Sequence, residues 1–171
     1  MRRLVAMLPV VAFLALIAVF AFKSLHRNPQ VTPMALVGKP TPDLQLAPLA
    51  GGAAQPIRAV ARGPVLVNFF ASWCAPCIDE APALMALKAE GVRVVGVAYK
   101  DAPDKSAAFL QRLGNPYETV LTDRDGRAGV EFGTTGVPET YAIDAKGVIV
   151  AKHAGPITAA EAEDLLEKAA R

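Results

Sequence analysis

The sequence predicts an α/β domain, a mixed sheet flanked by helices, carried behind an N-terminal transmembrane helix. Three observations point there. Apolar runs of strand length alternate with stretches of helical period from residue 64 to residue 113. Two further apolar strands then meet at a tight AKG turn. At the other end, Leu4 to Phe22 (LVAMLPVVAFLALIAVFAF) runs for about 19 residues without a charge, close to the ~20 that cross a bilayer as a helix. A length of 171 residues suits one ordinary domain plus such an appendage. The chain divides into an anchor at 1–23, a tether at 24–40 and a domain at 41–171.

Arg2 and Arg3 precede the apolar run, which places the N-terminus in the cytoplasm and the rest across the membrane. Lys23 and Arg27 pull the other way and weaken that vote. A cleaved signal peptide is the alternative; it requires a shorter apolar region ending at a small-x-small site. The apolar run gives way to KSLHRNPQ, without such a site, so the expectation is an uncleaved anchor. Pro29, Pro33 and Pro40 suit the tether. Residues 41–60 are expected to add an irregular N-terminal strand pair.

PVLVNFF (64–70) reads as a strand buried on both faces. Ile78, Ala81, Leu84, Met85 and Leu87 recur at helical spacing, and Gly91 stops that helix. VRVVGVAY (92–99) is a second buried strand, so the trio forms a βαβ unit with parallel strands. Pro103 to Leu113 is an amphipathic helix ended by Gly114, and YETVLTD is a short strand. ETYAID and VIVAKHA make an antiparallel hairpin. Thr158, with Glu161 three residues on, opens the last helix through a capping box. DRDG at 123–126 begins like a calcium loop, but Ala128 and Thr134 stand where that pattern needs glycine and glutamate, so it is read as a turn. The net charge of +2, with scattered basic residues, gives no sign of nucleic-acid binding.

Cys74 and Cys77 are the only cysteines, separated by Ala75 and Pro76. Zinc would need about four ligands, and only His26 and His153 remain, so no metal is expected. A purely structural disulfide across two residues would remove little entropy from the unfolded chain. Redox chemistry accounts best for the placement. Cys74 comes after a strand and opens a helix, where unpaired N–H groups and the positive dipole end favour thiolate. Thiolate is the attacking species in thiol–disulfide exchange. Cys77 lies one turn further along the same side and can close the ring. Proline early in a helix sacrifices no needed hydrogen bond.

A strand followed by WCAPC resembles the thioredoxin superfamily, and Pro82 stands where that family kinks its active-site helix. Val137-Pro138, within GVPET, resembles its cis-proline turn, which faces the cysteines and holds substrate backbone against them. The residues alone would give a trans bond; the cis form is what the resemblance implies. RVVGVAYKD, LGNPY, DRDG, GVPET, the ID..G turn and KHAG together are similar to the membrane-anchored thiol:disulfide interchange proteins of cytochrome c maturation, the DsbE/CcmG group, from about residue 36 to the C-terminus. The resemblance implies a thioredoxin-like fold and a redox-active Cys74–Cys77 disulfide in place of any cofactor. It further implies a periplasmic domain tethered to the bacterial inner membrane. That domain would reduce a disulfide of apocytochrome c, or one mixed with another maturation thiol protein, so that the CxxCH site presents free thiols. A membrane electron donor of the DsbD or CcdA type would re-reduce it. Trp73, Val137 and Pro138 would meet the substrate. A general periplasmic thioredoxin-like reductase, a peroxide-reducing relative and a non-catalytic membrane-tethered holdase for haem-acceptor chains are the competing readings. Changing both thiols to serine separates the last from the others.

By position, Glu80 matches an acidic residue typical of that group, and Glu139 comes directly after the expected cis-proline. A negative charge near the thiols raises their pKa and opposes the helix dipole; such a pair reduces more than it oxidises, because a strong oxidant owes its power to a stabilised reduced form. The plainer alternative puts Glu80 on a solvated helix face and Glu139 in a turn. Thioredoxin's buried aspartate is replaced by Asn68, whose amide cannot take a proton from Cys77, which leaves that step to Glu80 or Glu139. Tyr141 is expected in the hairpin core and His153 as a hairpin residue with a satisfied ring.

Overall fold

The structure is a computed structural model that describes residues 13, 15–20 and 36–171. Residues 13 and 15–20 are helical. The rest of the expected anchor and residues 24–35 of the tether lie outside the described residues. Among the described residues no helix is long and apolar enough to cross a membrane.

From residue 36 on, the elements run β1 (Gln45–Pro48), β2 (Gln55–Pro56), α1 (Ile57–Val60), β3 (Val65–Phe70), α2 (Ala75–Ala89), β4 (Val94–Tyr99), α3 (Pro103–Leu113), β5 (Thr119–Asp123), α4 (Arg127–Glu131), β6 (Glu139–Ile143), β7 (Ile149–Ala154) and α5 (Ala159–Ala170). The seven strands form one sheet in the order β2-β1-β5-β4-β3-β6-β7. β3, β4 and β5 are parallel, as βαβ connections require, while β6, β7 and β1 add on antiparallel. The predicted strand pair before residue 60 is the short β1–β2 pair. The turn at DRDG leads into α4, a helix of five residues that the sequence pattern does not announce.

Strand alternation sorts the core into two layers. Leu66 and Phe70 of β3 join Leu84 and Leu87 of α2, Phe109 and Leu110 of α3, and Ala162 and Leu165 of α5. Val65, Val67 and Phe69 join Ile57, Phe132, Tyr141 and Ile143 on the other face. Both cysteines belong to the first layer. The site therefore sits where β3 ends and α2 begins, backed by the α2–α5 side of the sheet.

Candidate active site

Cys74 is the N-cap of α2 in extended conformation (φ −90°, ψ 108°), and its Sγ accepts a hydrogen bond from the Cys77 N–H at 3.2 Å. One otherwise unpaired donor of the helix start is thus spent on sulfur, as the sequence position predicts. Pro76 occupies the first turn and Pro82 lies inside the helix, where the Ile78 carbonyl loses its usual donor. The two sulfurs are joined in a disulfide, with Cα atoms 5.4 Å apart. Both residues are buried among apolar neighbours.

The turn that carries Cys74 is moored from the next βα connection. Asp101 Oδ2 accepts from the Ser72 N–H at 2.7 Å and from the Ser106 hydroxyl at 2.7 Å. Its Oδ1 accepts from the Ser72 hydroxyl at 2.9 Å and the Ala102 N–H at 3.0 Å. Trp73 is 60% exposed beside the cysteine and donates its Nε1–H to the Lys100 carbonyl at 3.2 Å. Ile78, on the next turn, is also exposed. Indole and isoleucine give the surface next to Cys74 an apolar character.

Glu80 does not decorate a solvated face. It is 1% exposed and shares the buried side of α2 with Cys77, Ala81 and Leu84. Its Oε1 accepts from Asn68 Nδ2 at 3.1 Å and its Oε2 from the Ile157 N–H at 3.2 Å. Burial outweighs these two bonds and pushes its pKa up to about 7. Asn68 gives its second Nδ2 bond to Thr140 Oγ1 at 3.0 Å and accepts from the Tyr117 hydroxyl at 2.7 Å. Burial, and then the nearby Glu80 charge, raise the Tyr117 pKa well above normal. The position that holds an aspartate in thioredoxin here supplies the donor to a carboxylate on the helix instead.

The Val137–Pro138 peptide bond is cis, as the resemblance implies. Val137 packs against the layer that contains both cysteines, and the Pro138 carbonyl accepts from the Gly155 N–H at 2.9 Å. Glu139 is equally buried, but strand alternation turns it with Tyr141 toward the opposite face of the sheet. There it forms an ion pair with Lys152 at 2.8 Å. It also accepts from the Thr135 N–H at 3.0 Å, the Thr135 hydroxyl at 2.6 Å and the Tyr141 hydroxyl at 2.8 Å. Of the two candidate carboxylates, Glu80 is the one on the cysteines' side. Tyr141 is fully buried core, and His153 sits on β7 with its ring 3.3 Å from the Pro156 carbonyl. Asp123 in DRDG takes the Ala128 and Gly129 N–H groups at the start of α4, a structural task.

Sequence reasoning missed Asp101, Ser72, Tyr117 and Thr140 as members of the site. The last two had a signal: in the predicted sheet, Asn68 is an amide in an otherwise apolar strand and demands polar partners from its neighbours.

The Redoxin family profile matches residues 36–166. The thiol:disulfide interchange protein HelX of Rhodobacter capsulatus is 38% identical over 94% of this chain and 90% of its own. The thiol:disulfide interchange protein DsbE of Escherichia coli is 40% identical over 92% of this chain and 88% of its own. Among solved structures, a thio-disulfide isomerase from Thermus thermophilus superposes with a TM-score of 0.66 at 26% identity, covering 78% of this chain and 96% of that one.

Proposed function

The chain belongs to the Redoxin family and is a thiol–disulfide oxidoreductase of thioredoxin fold, and from that membership we propose that it works as a periplasmic reductant in cytochrome c maturation. Its substrate is a disulfide at the CxxCH site of apocytochrome c, or the mixed disulfide of that site with another maturation protein. The observation that carries the reading is Glu80: a carboxyl buried on the Cys77 side of the redox helix, with its pKa near 7.

In the reduced enzyme the Cys74 thiolate attacks one sulfur of the substrate disulfide, and the other substrate sulfur leaves as thiolate. Ionised Glu80 takes the Cys77 proton. The Cys77 thiolate then attacks Cys74 Sγ, closes the intramolecular disulfide and releases the second substrate thiol. The substrate gains two electrons and the enzyme loses two. A negative Glu80 also works against the helix dipole at Cys74, so the dithiol form is not strongly stabilised and the pair gives electrons up. Exposed Trp73 and Ile78, with Val137 packed against the cysteine layer, supply the apolar surface on which an extended chain is held. A membrane donor of the DsbD or CcdA type restores the dithiol, and an inner-membrane anchor within residues 1–23 keeps the domain beside it.

Cys77→Ser removes the resolving step while leaving the attacking sulfur. In cells making cytochrome c this variant should accumulate a thiol-sensitive adduct containing apocytochrome c or a maturation partner. An adduct formed only with unrelated periplasmic proteins would instead identify a general reductase, and no adduct at all would remove the exchange mechanism.

A further inference from the structure

One rung of the sheet, on the cysteines' side, is built from unusual residues. Asn68 of β3 lies in register between Gly96 of β4 and Thr140 of β6. Gly96 leaves a gap, and the Tyr117 ring fills it: a Cβ at position 96 would come within 2.7 Å of that ring. The ring stacks on Phe70 with centroids 4.9 Å apart. From there the Tyr117 hydroxyl reaches Asn68 Oδ1.

An asparagine amide offers one accepting edge and two donors. With Oδ1 taken by Tyr117, both Nδ2 hydrogens are spent, one on Glu80 Oε1 and one on Thr140 Oγ1. Flipped, the amide would aim its oxygen at Glu80, which is tolerable only when that carboxyl carries a proton. We propose that Tyr117 is a positioning residue for Glu80: its hydroxyl holds the Asn68 amide donor-edge toward the carboxyl, and Gly96 makes room for the ring that does so. The proposal rests on the reading of Glu80 as the proton acceptor for Cys77.

The groups facing Glu80 come from several elements. Asn68 of β3 and the Ile157 N–H ahead of α5 bond it directly, and Tyr117 ahead of β5 lies close enough to feel its charge. Thr140 of β6 holds the other Nδ2 hydrogen of Asn68, and Cys77 shares the buried side of its own helix. α5 turns Ala162 and Leu165 inward, while its Glu161 bonds Thr158 and lies 3.8 Å from His153 near the surface. Loss of the Tyr117 hydroxyl removes the donor that polarises the amide, so ionised Glu80 is less well supported.

The test is the reduction potential of the Cys74–Cys77 couple against pH, for the full chain in detergent. The wild-type profile should bend near pH 7, and Glu80→Gln should lack the bend. Tyr117→Phe, with its ring retained, should move the bend up by roughly half a unit to one unit, the effect of one hydrogen bond. A bend that persists in Glu80→Gln overturns the Glu80 reading itself. A bend lost in Glu80→Gln but unmoved in Tyr117→Phe overturns the Tyr117 assignment alone. If Tyr117→Phe does not fold, the wild-type Asn68 side-chain amide resonances decide: they should titrate with the same midpoint as the Glu80 carboxyl carbon, and amide signals indifferent to that titration would sink the proposal.

Discussion

Glu80 and Glu139 are two buried carboxylates treated in opposite ways. Glu139 is matched by Lys152 and three further donors, whereas Glu80, among the described residues, has two hydrogen bonds and no cation. An unpaired buried carboxyl prefers its proton, which is the cause of the upward shift. The folded pKa of about 7 exceeds the ordinary glutamate value of 4.5. Below pH 4.5 both states are protonated and the contribution to stability is fully present; it falls as the pH rises from 4.5 to 7 and is gone above that window. Its size is about 3 kcal/mol at most. Urea titrations at pH 5 and pH 8 should therefore show the wild type losing up to that amount more than Glu80→Gln, and parallel losses in the two proteins would mean that the carboxyl is not the group being titrated. Much of this site was legible in the sequence: Cys74 and Cys77 by spacing and placement, Pro138 by resemblance. Glu80 was placed near the thiols by resemblance, but its burial was not legible, because the apolar pattern of α2 includes Ile78, which the structure leaves exposed while burying Glu80 one turn from Cys77. Hydropathy assigns a charged residue outward, and only the three-dimensional partners Asn68 and Ile157 reverse that.

α5 ties the helix layer to this chemistry. Its N-cap, Thr158, accepts from the Glu161 N–H, while Glu161 Oε2 accepts from the Thr158 N–H at 2.9 Å, closing a capping box. The preceding residue, Ile157, carries the N–H that bonds Glu80, so the cap fixes where that donor points. Thr158→Ala should cost about 1 kcal/mol and lower Tm by roughly 3–5 °C, with Thr158→Ser restoring most of it; calorimetry checks both, and an unchanged Tm in the alanine variant would show that the box holds nothing. α5, α3 and the β6–β7 hairpin were readable because each shows several residues of one period and its own start or stop signal, Gly114 (φ +93°) among them. α4 was not. Its five residues are too few to display a helical period, and the Asp123 carboxylate that meets its first free N–H groups comes from the preceding strand. β1 and β2 were expected as an irregular strand pair within residues 41–60, but the pairing of β1 with the remote β5 was not legible, because strands this short show no period of their own.

At the scale of the whole chain, every strand of the sheet and both core layers fall within residues 36–171. Among the described residues, nothing in either layer draws on a residue before Leu36. A chain starting at residue 36 should accordingly unfold in a single cooperative transition and cycle its disulfide with a reduction potential equal to that of the full-length protein in detergent. The proposed anchor contributes differently, by confining domain and electron donor to one membrane surface, where effective concentrations can reach the millimolar range. Expressed in the periplasm behind a cleavable signal peptide, the anchorless domain should then support cytochrome c formation poorly at low copy and recover as its concentration is raised, because mass action replaces the tether. Haem-stained cytochrome c, measured across an expression series, reads this directly. Full support at the lowest expression level would mean that the apolar N-terminal run serves only to export the domain, whereas failure at every level, with folding and redox cycling intact, would mean that residues before 36 contact a partner themselves.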